Sequence, residues 1–560
     1  MAIFRNRGNC YCGYYCYTQS QIFDKELCWK LVTIQMKSSN FSKACREISQ
    51  NLLQINELTM THTKSEIKRI CTKYSLDTIP KNYEILSTVD GKSYEKLQKI
   101  LLKKPVKTAS GVAVIAIMPK PFACPHGRCT FCPGGVEVNT PNSYTGKEPV
   151  TLSAIEDDYE PGVQIQKRIE QLIAFGHDPT KLELVIVGGT FLFMPDEYQR
   201  NFIKSCYDAI NGYKSDTLED AKKANEKAKM RNVGFTIETK PDYCQQKHVD
   251  MMLDYGTTRV EIGVQSLTER VYNIVNRGHD LQQVISSFQI AKDAGYKIVA
   301  HMMPGLPTMT PKEDIADFKK LFEMDEFKPD MLKIYPALVL RDTPLYEDYK
   351  SGNYKPYSTE DMIHVLTEAK KTIPKWVRIM RVQREITTDE IVDGPKMGNL
   401  RQMVHEELHK QGTSCKCIRC REAGLNNKRD FSELKLEKIE YNANGGREVF
   451  LSFNDEDDLT YGFLRLRKPG DNAHRDEITN KTSIVRELHV FGKAIKMGEK
   501  EEFSFQHQGL GKKLMNEAEN IASTELSSDK LCVISAVGTR EYYGKLGYRI
   551  NGPYMAKELG

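Results

Sequence analysis

Six short apolar runs between residues 111 and 335 constrain the fold of this chain more than any other feature. Each has the length of a buried β-strand, and helical segments separate one run from the next. The runs cover residues 111–118, 182–187, 233–238, 259–265, 297–303 and 331–335. This βαβα order predicts a parallel sheet or partial TIM-type (β/α) barrel over residues 111–400. Polar residues lie at the carboxyl ends of the strands, where such barrels place their chemistry.

The composition is that of a globular protein with several domains. Of the 560 residues, 40% are hydrophobic and 28% are charged. No run approaches the ~18 apolar residues that a membrane span needs, and the first residues do not form a signal peptide. We therefore expect a cytoplasmic protein that does not span a membrane.

Basic residues are concentrated before the first apolar run. The segment 36–110 is predicted to be helical, notably over 41–56 and 65–74, whereas residues 1–35 form an extension with little periodicity. The net charge of the whole chain is only +5, so this concentration of basic residues is local. It favours a surface that binds tRNA or another polyanion, and a solvated helix face is the alternative. The basic residues are Lys64, Lys68, Arg69, Lys73, Lys81, Lys92, Lys96, Lys99, Lys103, Lys104 and Lys107.

A second pattern begins near residue 433, after a linker over 401–432. Residues 449–453 and 461–466 are predicted to form a β-hairpin. Further on, Gln506, Gly509 and Gly511 precede a helix with one apolar face. Glycines before a helix let backbone N–H groups approach a pyrophosphate, and the helix dipole attracts it. The segment 433–560 is therefore predicted to be an α+β domain with a phosphate-binding loop.

Fifteen cysteines in a large chain without a secretion signal indicate metal ligation or reactive thiols. One group, Cys10, Cys12, Cys16 and Cys28, lies in the extension, where a metal site is one interpretation. The other two groups are more closely spaced.

Cys124, Cys129 and Cys132 directly follow the first apolar run. Three thiolates within nine residues can hold one soft metal ion or cluster, and a cluster with three protein ligands keeps one iron open for another ligand. The alternative is a zinc knuckle with His126 as the fourth ligand.

Cys415, Cys417 and Cys420 form the last group, with His405 or His409 as candidate fourth ligands. We interpret them as a structural zinc site that joins the barrel to the C-terminal domain. Free thiols in a linker are the alternative.

The cysteine loop resembles the radical SAM signature, although its first spacing is one residue from the commonest form. The surrounding segments closely resemble the family of the Elongator catalytic subunit, a tRNA uridine-34 carboxymethyltransferase, in its archaeal-type form. They are residues 104–118, 132–135, 143–149, 187–190, 237–243, 261–266 and 300–304. The resemblance extends from about residue 40 to the end and implies a radical SAM barrel followed by a GNAT acetyltransferase domain.

By this resemblance, Cys124, Cys129 and Cys132 bind a 4Fe–4S cluster whose open iron is chelated by S-adenosyl-L-methionine (SAM). The SAM pocket is expected to contain Phe131, Gly188, Gly189, Thr190, Glu261 and Gln265. For Glu261, a plain salt bridge is the alternative role.

The resemblance to GNAT enzymes implies an acetyl-CoA site. Its expected members are Lys181, Glu487, Leu488, His489, Val490, Gln506, Gly509, Leu510, Gly511, Lys512 and Tyr542. Tyr542, with Tyr543 beside it, is expected to protonate the departing thiolate, and Lys181 to touch CoA from the barrel. The alternatives are packing for both tyrosines and a surface charge for Lys181.

The resemblance implies that a SAM-derived 5′-deoxyadenosyl radical activates acetyl-CoA to form 5-carboxymethyluridine at position 34 of tRNA. One alternative is a protein lysine acetyltransferase that uses only the GNAT half, and another is a tRNA-binding scaffold with degenerate sites. A homodimer or other Elongator-type subunits are the expected protein partners.

Overall fold

A computed structural model describes residues 39–101, 111–425, 433–491 and 509–560, apart from positions 56, 77, 81, 176 and 190. The chain forms two compact units, Met1–Lys104 and Pro105–Gly560. The extension 1–35, Thr190 and Gln506 lie outside the described residues. In the described part, no helix has both the length and the apolar character needed to cross a membrane.

The first unit is helical, as the sequence predicts. Its helices are Ser39–Leu53 (α1), Met60–Lys73 (α2), Asn82–Leu86 (α3) and Gly91–Leu101 (α4). Ala44, Ile48 and Leu52 recur at a spacing of four residues along α1 and are fully buried against the other helices.

The second unit begins with a seven-stranded parallel sheet in the order β1-β2-β3-β4-β5-β6-β8. This order confirms the predicted partial barrel, since consecutive strands pair with each other from β1 to β6. The strands are Ala113–Ile117 (β1), Lys181–Ile186 (β2), Arg231–Thr239 (β3), Arg259–Gln265 (β4), Lys297–Met302 (β5), Met331–Ile334 (β6) and Arg378–Arg381 (β8); Val339–Leu340 (β7) pairs with Ile391–Asp393 (β9).

Helices cover the barrel and follow standard start signals. Thr310, for example, caps the helix that begins at Pro311, and its side chain accepts from the Glu313 N–H. The helices are Pro149–Glu156 (α5), Pro161–Ala174 (α6), Asp196–Asn211 (α7), Leu218–Asn225 (α8), Gln246–Asp254 (α9), Glu269–Ile274 (α10), Leu281–Asp293 (α11), Pro311–Glu323 (α12), Pro344–Lys350 (α13), Thr359–Thr372 (α14), Leu400–Lys410 (α15) and Ile418–Arg421 (α16).

The C-terminal part is a second seven-stranded sheet, in the order β10-β11-β12-β13-β14-β16-β15. The predicted hairpin is the antiparallel pair β11–β12. The strands are Lys435–Ala443 (β10), Gly446–Asn454 (β11), Thr460–Lys468 (β12), Thr482–Val490 (β13), Lys530–Val533 (β14), Arg549–Asn551 (β15) and Tyr554–Glu558 (β16), with helices Leu510–Thr524 (α17) and Arg540–Lys545 (α18).

The barrel and the C-terminal sheet share one continuous core. Ile484, Cys532 and Tyr554 of the C-terminal part belong to the same buried cluster as the barrel strands. The expected linker is only partly a linker, because Val404 and Leu408 of α15 are buried in that cluster.

Candidate functional site

A cavity of about 350 Å³ lies inside the partial barrel and is lined by the predicted cysteines. All three cysteines of the loop after β1 face it. Cys129 and Cys132 are buried, whereas Cys124 is partly exposed. The chain therefore brings three thiols to the carboxyl end of the sheet, where the sequence predicts them.

Glycines allow the cysteine loop to pack tightly. A Cβ on Gly134 would lie 2.4 Å from the Tyr144 carbonyl oxygen, and a Cβ on Gly278 would lie 2.3 Å from the His126 Cβ. Neither position has room for a side chain, so the loop has this path only with glycine there.

The surroundings of the thiols suit thiolate ligands. The Ser143 N–H donates to the Cys132 sulfur at 3.1 Å, and Arg277 Nη1 donates to the Cys129 sulfur at 3.5 Å. Burial, followed by the neighbouring thiols Cys132 and Cys129, raises the pKa of Cys124 to about 12, although Lys240 and Arg277 act to lower it. N–H donors and cations beside the sulfurs offset the negative charge of cluster ligands, so these residues fit a 4Fe–4S cluster.

His126 lies beside the same thiols but has another partner. Its Nε2 is 3.3 Å from the Cys129 sulfur, and its Nδ1 is 2.9 Å from Lys240 Nζ. Burial, together with the charges of Lys240 and Arg277, lowers the pKa of His126 to about 4.

The other predicted SAM residues surround the cavity, except Thr190, which lies outside the described residues. Phe131, Gly189, Glu261 and Gln265 line it, and the Gly188 N–H donates to Glu238 Oε2 at 3.0 Å. Gln265 has a φ of 73°, which is uncommon for a residue other than glycine. Such strained positions concentrate at functional sites.

Glu261 is at once a cavity residue and a salt-bridge partner. It is 1% exposed, forms an ion pair with Lys333, and lies 2.8 Å from His301 Nε2. Burial would raise the pKa of the Glu261 carboxyl, but Lys333 and His301 hold it well below its ordinary value of 4.5. Glu238, Glu261 and His301 could together ligate a metal ion, although the Lys333 ammonium already neutralises Glu261.

Sequence reasoning missed several members of this site. Lys333, His301, Glu238, Lys240 and Arg277 all line the cavity. The signal was present for Glu238, His301 and Lys333, since charged residues at alternating positions of an apolar strand face the inside of a barrel. Lys240 and Arg277 lie outside the strands, where no periodic pattern marks them.

Four of the predicted acetyl-CoA residues, Leu488, Val490, Gly511 and Tyr542, lie together where the first turn of α17 meets β13, a place that we call the groove. Gly509 caps α17 with a φ of 73°, which favours glycine. A Cβ on Gly511 would lie 2.9 Å from the Tyr542 hydroxyl and under 4 Å from Leu488 and Val490 side-chain atoms. Leu510 is buried and Lys512 is exposed.

Strand β13 separates from β14 along this groove. The two strands pair only from Thr482 to Val485, and a register shift opposite β12 follows at once. The edge of β13 from 486 to 490 is therefore not paired with β14. Glu487 turns to the other face, where Arg465 Nε donates to its carboxylate at 2.8 Å, and His489 stacks on Phe463 there.

The two tyrosines have different surroundings. Tyr542 is 41% exposed at the groove, whereas Tyr543 is 7% exposed and packs in the core of the C-terminal sheet. Burial raises the pKa of Tyr542. Lys181 begins β2 beside Arg231, which forms an ion pair with Glu541 at 2.7 Å. The barrel residue thus lies one strand from the segment that carries Tyr542.

The third cysteine group is a candidate metal centre between the barrel and the C-terminal sheet. The Cys415, Cys417 and Cys420 sulfurs lie within 4.8 Å of one another. His405 Nε2 is 3.7 Å from the Cys420 sulfur, whereas His409 is exposed. Ile418, inside this segment, packs with residues of β11 and β12.

Comparison with known proteins decides the family. A tRNA uridine(34) acetyltransferase of Methanocaldococcus infernus is 48% identical over 491 residues, which are 86% of this chain and 92% of that protein. Elongator complex protein 3 of Drosophila melanogaster is 43% identical over 526 residues, or 92% of this chain and 95% of that protein. The chain belongs to the Elongator complex protein 3 family.

Three family models match successive parts of this member of the Elongator complex protein 3 family. The ELP3 N-terminal domain matches residues 41–109, the radical SAM superfamily residues 119–321, and the radical SAM C-terminal domain residues 329–410. The superfamily uses a 4Fe–4S cluster and SAM, and the cavity thiols lie within the matched range. A structure of Methanocaldococcus infernus Elp3 lacking its N-terminus (1-46) aligns with a TM-score of 0.71 at 43% identity, covering 80% of this chain and all of that one.

Proposed function

We propose that this protein is a tRNA uridine-34 acetyltransferase that uses SAM and acetyl-CoA to form 5-carboxymethyluridine. The observation that carries the proposal is the presence, in one compact unit, of a barrel cavity lined by three thiols and a groove suited to CoA. The names of the relatives agree with it. The lysine acetyltransferase interpretation gains no support from these relatives.

In this proposal, Cys124, Cys129 and Cys132 hold the 4Fe–4S cluster. When bound and reduced, the cluster with SAM supplies a 5′-deoxyadenosyl radical that abstracts hydrogen. The protein's residues orient the reactants and exclude water from them. Arg277 offsets the charge at Cys129, and the Glu261–Lys333 pair fixes polar groups inside the cavity without a net charge.

The groove between β13 and α17 binds acetyl-CoA in this proposal. The first turn of α17, after Gly509, offers backbone N–H groups to the pyrophosphate. The unpaired edge of β13 offers hydrogen bonds to the amides of the pantetheine arm. Tyr542, at the groove, is the candidate proton donor to the thiolate, whereas the burial of Tyr543 favours packing.

The helical unit contributes to tRNA binding. Lys64, Lys68 and Lys92 are exposed on α2 and α4, and the side chains of Lys81, Lys99, Lys103, Lys104 and Lys107 lie outside the described residues. A phosphate backbone attracts such a surface without reading sequence. The cytoplasmic location, the homodimer and further Elongator-type subunits stay predictions.

We propose structural zinc for Cys415, Cys417 and Cys420, with His405 as the fourth ligand. Lys370 Nζ lies 2.8 Å from His405 Nε2 and would have to release it. Metal analysis of anaerobically prepared protein tests both sites: serine at Cys124, Cys129 and Cys132 should remove iron and keep zinc. Serine at the other three cysteines should do the reverse, and iron at both sites would contradict the zinc assignment.

Mass spectrometry of tRNA nucleosides tests the function. Anaerobic protein with SAM, acetyl-CoA, a reductant and tRNA should yield 5-carboxymethyluridine. Omission of any one of SAM, acetyl-CoA and reductant should abolish it, as should alanine at Cys124, Cys129 and Cys132. Modified uridine formed without SAM would refute the radical route.

A further inference from the structure

The barrel cavity extends over the whole length of its strands. Along β4, the residues that line it are Arg259, Glu261, Gly263 and Gln265. These span the strand from its first residue to its last, about 20 Å at ~3.3 Å per residue. The cavity therefore runs from the cysteine loop down to the amino-terminal ends of the strands, which we call the floor of the barrel.

The floor is a layer of charged side chains. Arg259 at the start of β4 forms an ion pair with Glu183 on β2, and both line the cavity. Lys297 at the start of β5 belongs to the same layer, because it pairs in register with Arg259. Arg259 and Lys297 lie on adjacent strands, whereas Glu183 reaches Arg259 across β3, where Gly234 has no side chain.

The floor touches the strand that borders the CoA groove. Lys297 Nζ donates to the Arg486 carbonyl oxygen at 3.5 Å. Burial would lower the pKa of Arg259, but Glu183, Glu261 and then Glu487, the residue after Arg486 on β13, raise it. Arg486 and Glu487 begin the edge of β13 that leaves β14. The floor thus adjoins the inner end of the groove.

Unpaired polar atoms lie along this contact. Arg259 Nε and Glu261 Oε1 are 4.0 Å apart, and neither forms a hydrogen bond although their residues are 7% and 1% exposed. His489 Nε2, on β13, is also buried without a partner. Buried polar atoms without partners are rare and cost about 1–3 kcal/mol each. Thioester and amide groups of a pantetheine arm would supply the missing donors and acceptors.

We infer that the acyl end of acetyl-CoA enters the barrel cavity through its floor, past a gate formed by Arg259 and Glu183. This inference rests on the proposed function and adds the route by which the two sites meet. The arm, held at its pyrophosphate end by the first turn of α17, follows β13 inward to Glu487. Arg259 forms an ion pair with Glu183, and its Nε–H has no hydrogen-bond partner. This N–H positions the thioester as the arm passes.

Side chains of increasing size at Gly234 test the route, because they should obstruct the floor step by step; we call the large variants plugs. Gly234 pairs in register with Glu183, and its Cβ would lie 3.1 Å from Glu183 Cγ. Gly234→Ala, Gly234→Val and Gly234→Leu therefore fill the floor step by step. Gly398→Leu is the matched control, because nothing lies within 4 Å of its Cβ. Ala116→Phe is a second obstruction if the leucine variant does not fold: Ala116 is exposed on the cavity wall, two residues along β1 from Val114, which pairs with Glu183 of the floor.

The experiment uses the full reconstituted chain with tRNA, SAM, reductant and trideuterated acetyl-CoA. It measures iron content, the acetyl-CoA dissociation constant, total 5′-deoxyadenosine and the deuterium in it. We expect the leucine and phenylalanine plugs to lower deuterium transfer at least tenfold, with acetyl-CoA affinity and iron within twofold of the parent. The alanine variant and Gly398→Leu should resemble the parent.

Three outcomes would overturn the inference. Deuterium transfer within twofold of the parent in both plugs would place the route elsewhere. A parallel loss of acetyl-CoA affinity or iron would show that the floor supports the fold and is not a passage. If the parent protein transfers no deuterium and modifies no uridine, the proposed function itself is refuted. The parent's behaviour therefore separates a failure of the proposed function from the first two outcomes.

Discussion

Replacement of Glu448 by glutamine should strongly destabilise the C-terminal sheet. Glu448 lies on β11, is 1% exposed, and accepts from Arg467 Nη1 and Arg486 Nη2, each at 2.8 Å. An amide keeps one acceptor but turns an NH₂ group toward the other guanidinium. Removal of one partner from a buried ionic cluster costs about 3–5 kcal/mol, because the remaining charges lose their compensation.

The effect should be visible in native-state hydrogen exchange. Because the chain has several parts, a single two-state free energy of unfolding does not describe it. Hydrogen exchange of the backbone amides on β12 reports local stability and is the suitable measurement. At about 1.4 kcal/mol per factor of ten, a loss of about 3–5 kcal/mol should accelerate exchange by about 10²- to 10⁴-fold. Glu219→Gln is the control, since Glu219 is 60% exposed in its pair with Arg200, and such pairs contribute about 0–1 kcal/mol.

The pH dependence gives a second check. Burial would raise the pKa of Glu448, but Arg486 and Arg467 lower it below the ordinary 4.5. A carboxyl group with a lowered folded pKa stabilises fully above its unfolded pKa and loses this contribution as the pH falls through the folded pKa. The difference between parent and variant should therefore be constant above about pH 5 and shrink below 4.5. Acceleration under tenfold at neutral pH, or a difference that grows in acid, would refute this reasoning.

Three further variants test the proposed sites. Gly509→Glu should abolish acetyl-CoA binding in calorimetry and leave iron content unchanged, because the new carboxylate meets the pyrophosphate; unchanged affinity would exclude this loop. Tyr542→Phe should lower uridine modification while acetyl-CoA affinity stays within twofold, and equal rates for both proteins would remove the tyrosine from proton transfer. Charge reversal at Lys64, Lys68 and Lys92 of the helical unit should weaken tRNA binding several-fold. It should also lower the slope of log affinity against log salt concentration by about 2–3. An unchanged slope would place the RNA-binding surface elsewhere.

Local sequence was sufficient for the secondary structure and for the grouping of the thiols. The strands of the barrel and the apolar face of α17 follow from periodicity, which depends on neighbours a few residues apart. Leu514, Met515 and Ile521, which form that face, are all fully buried. Cys124, Cys129 and Cys132 share one loop, so their common placement needed no tertiary contact.

Tertiary packing decided which of two similar neighbours is available at a site. Tyr542 and Tyr543 are adjacent, yet only Tyr543 meets the core of the C-terminal sheet. His405 and His409 are one turn apart on α15, but only His405 lies beside the Cys420 sulfur. Local composition is almost the same for each pair, so only the elements packed against them separate the two members.

The sequence by itself determined the family, the order of strands and helices, and the residues that a single loop brings together. The tertiary structure alone decided what surrounds those residues. Glu261 is paired with His301 and Lys333, which are 40 and 72 residues away in the chain. Parallel strands place such residues side by side because hydrogen-bonded register, and not distance along the chain, sets which side chains meet. For the same reason, the contact of Lys297 with the Arg486 carbonyl, across 189 residues, follows only from the packing of the C-terminal sheet on the floor of the barrel.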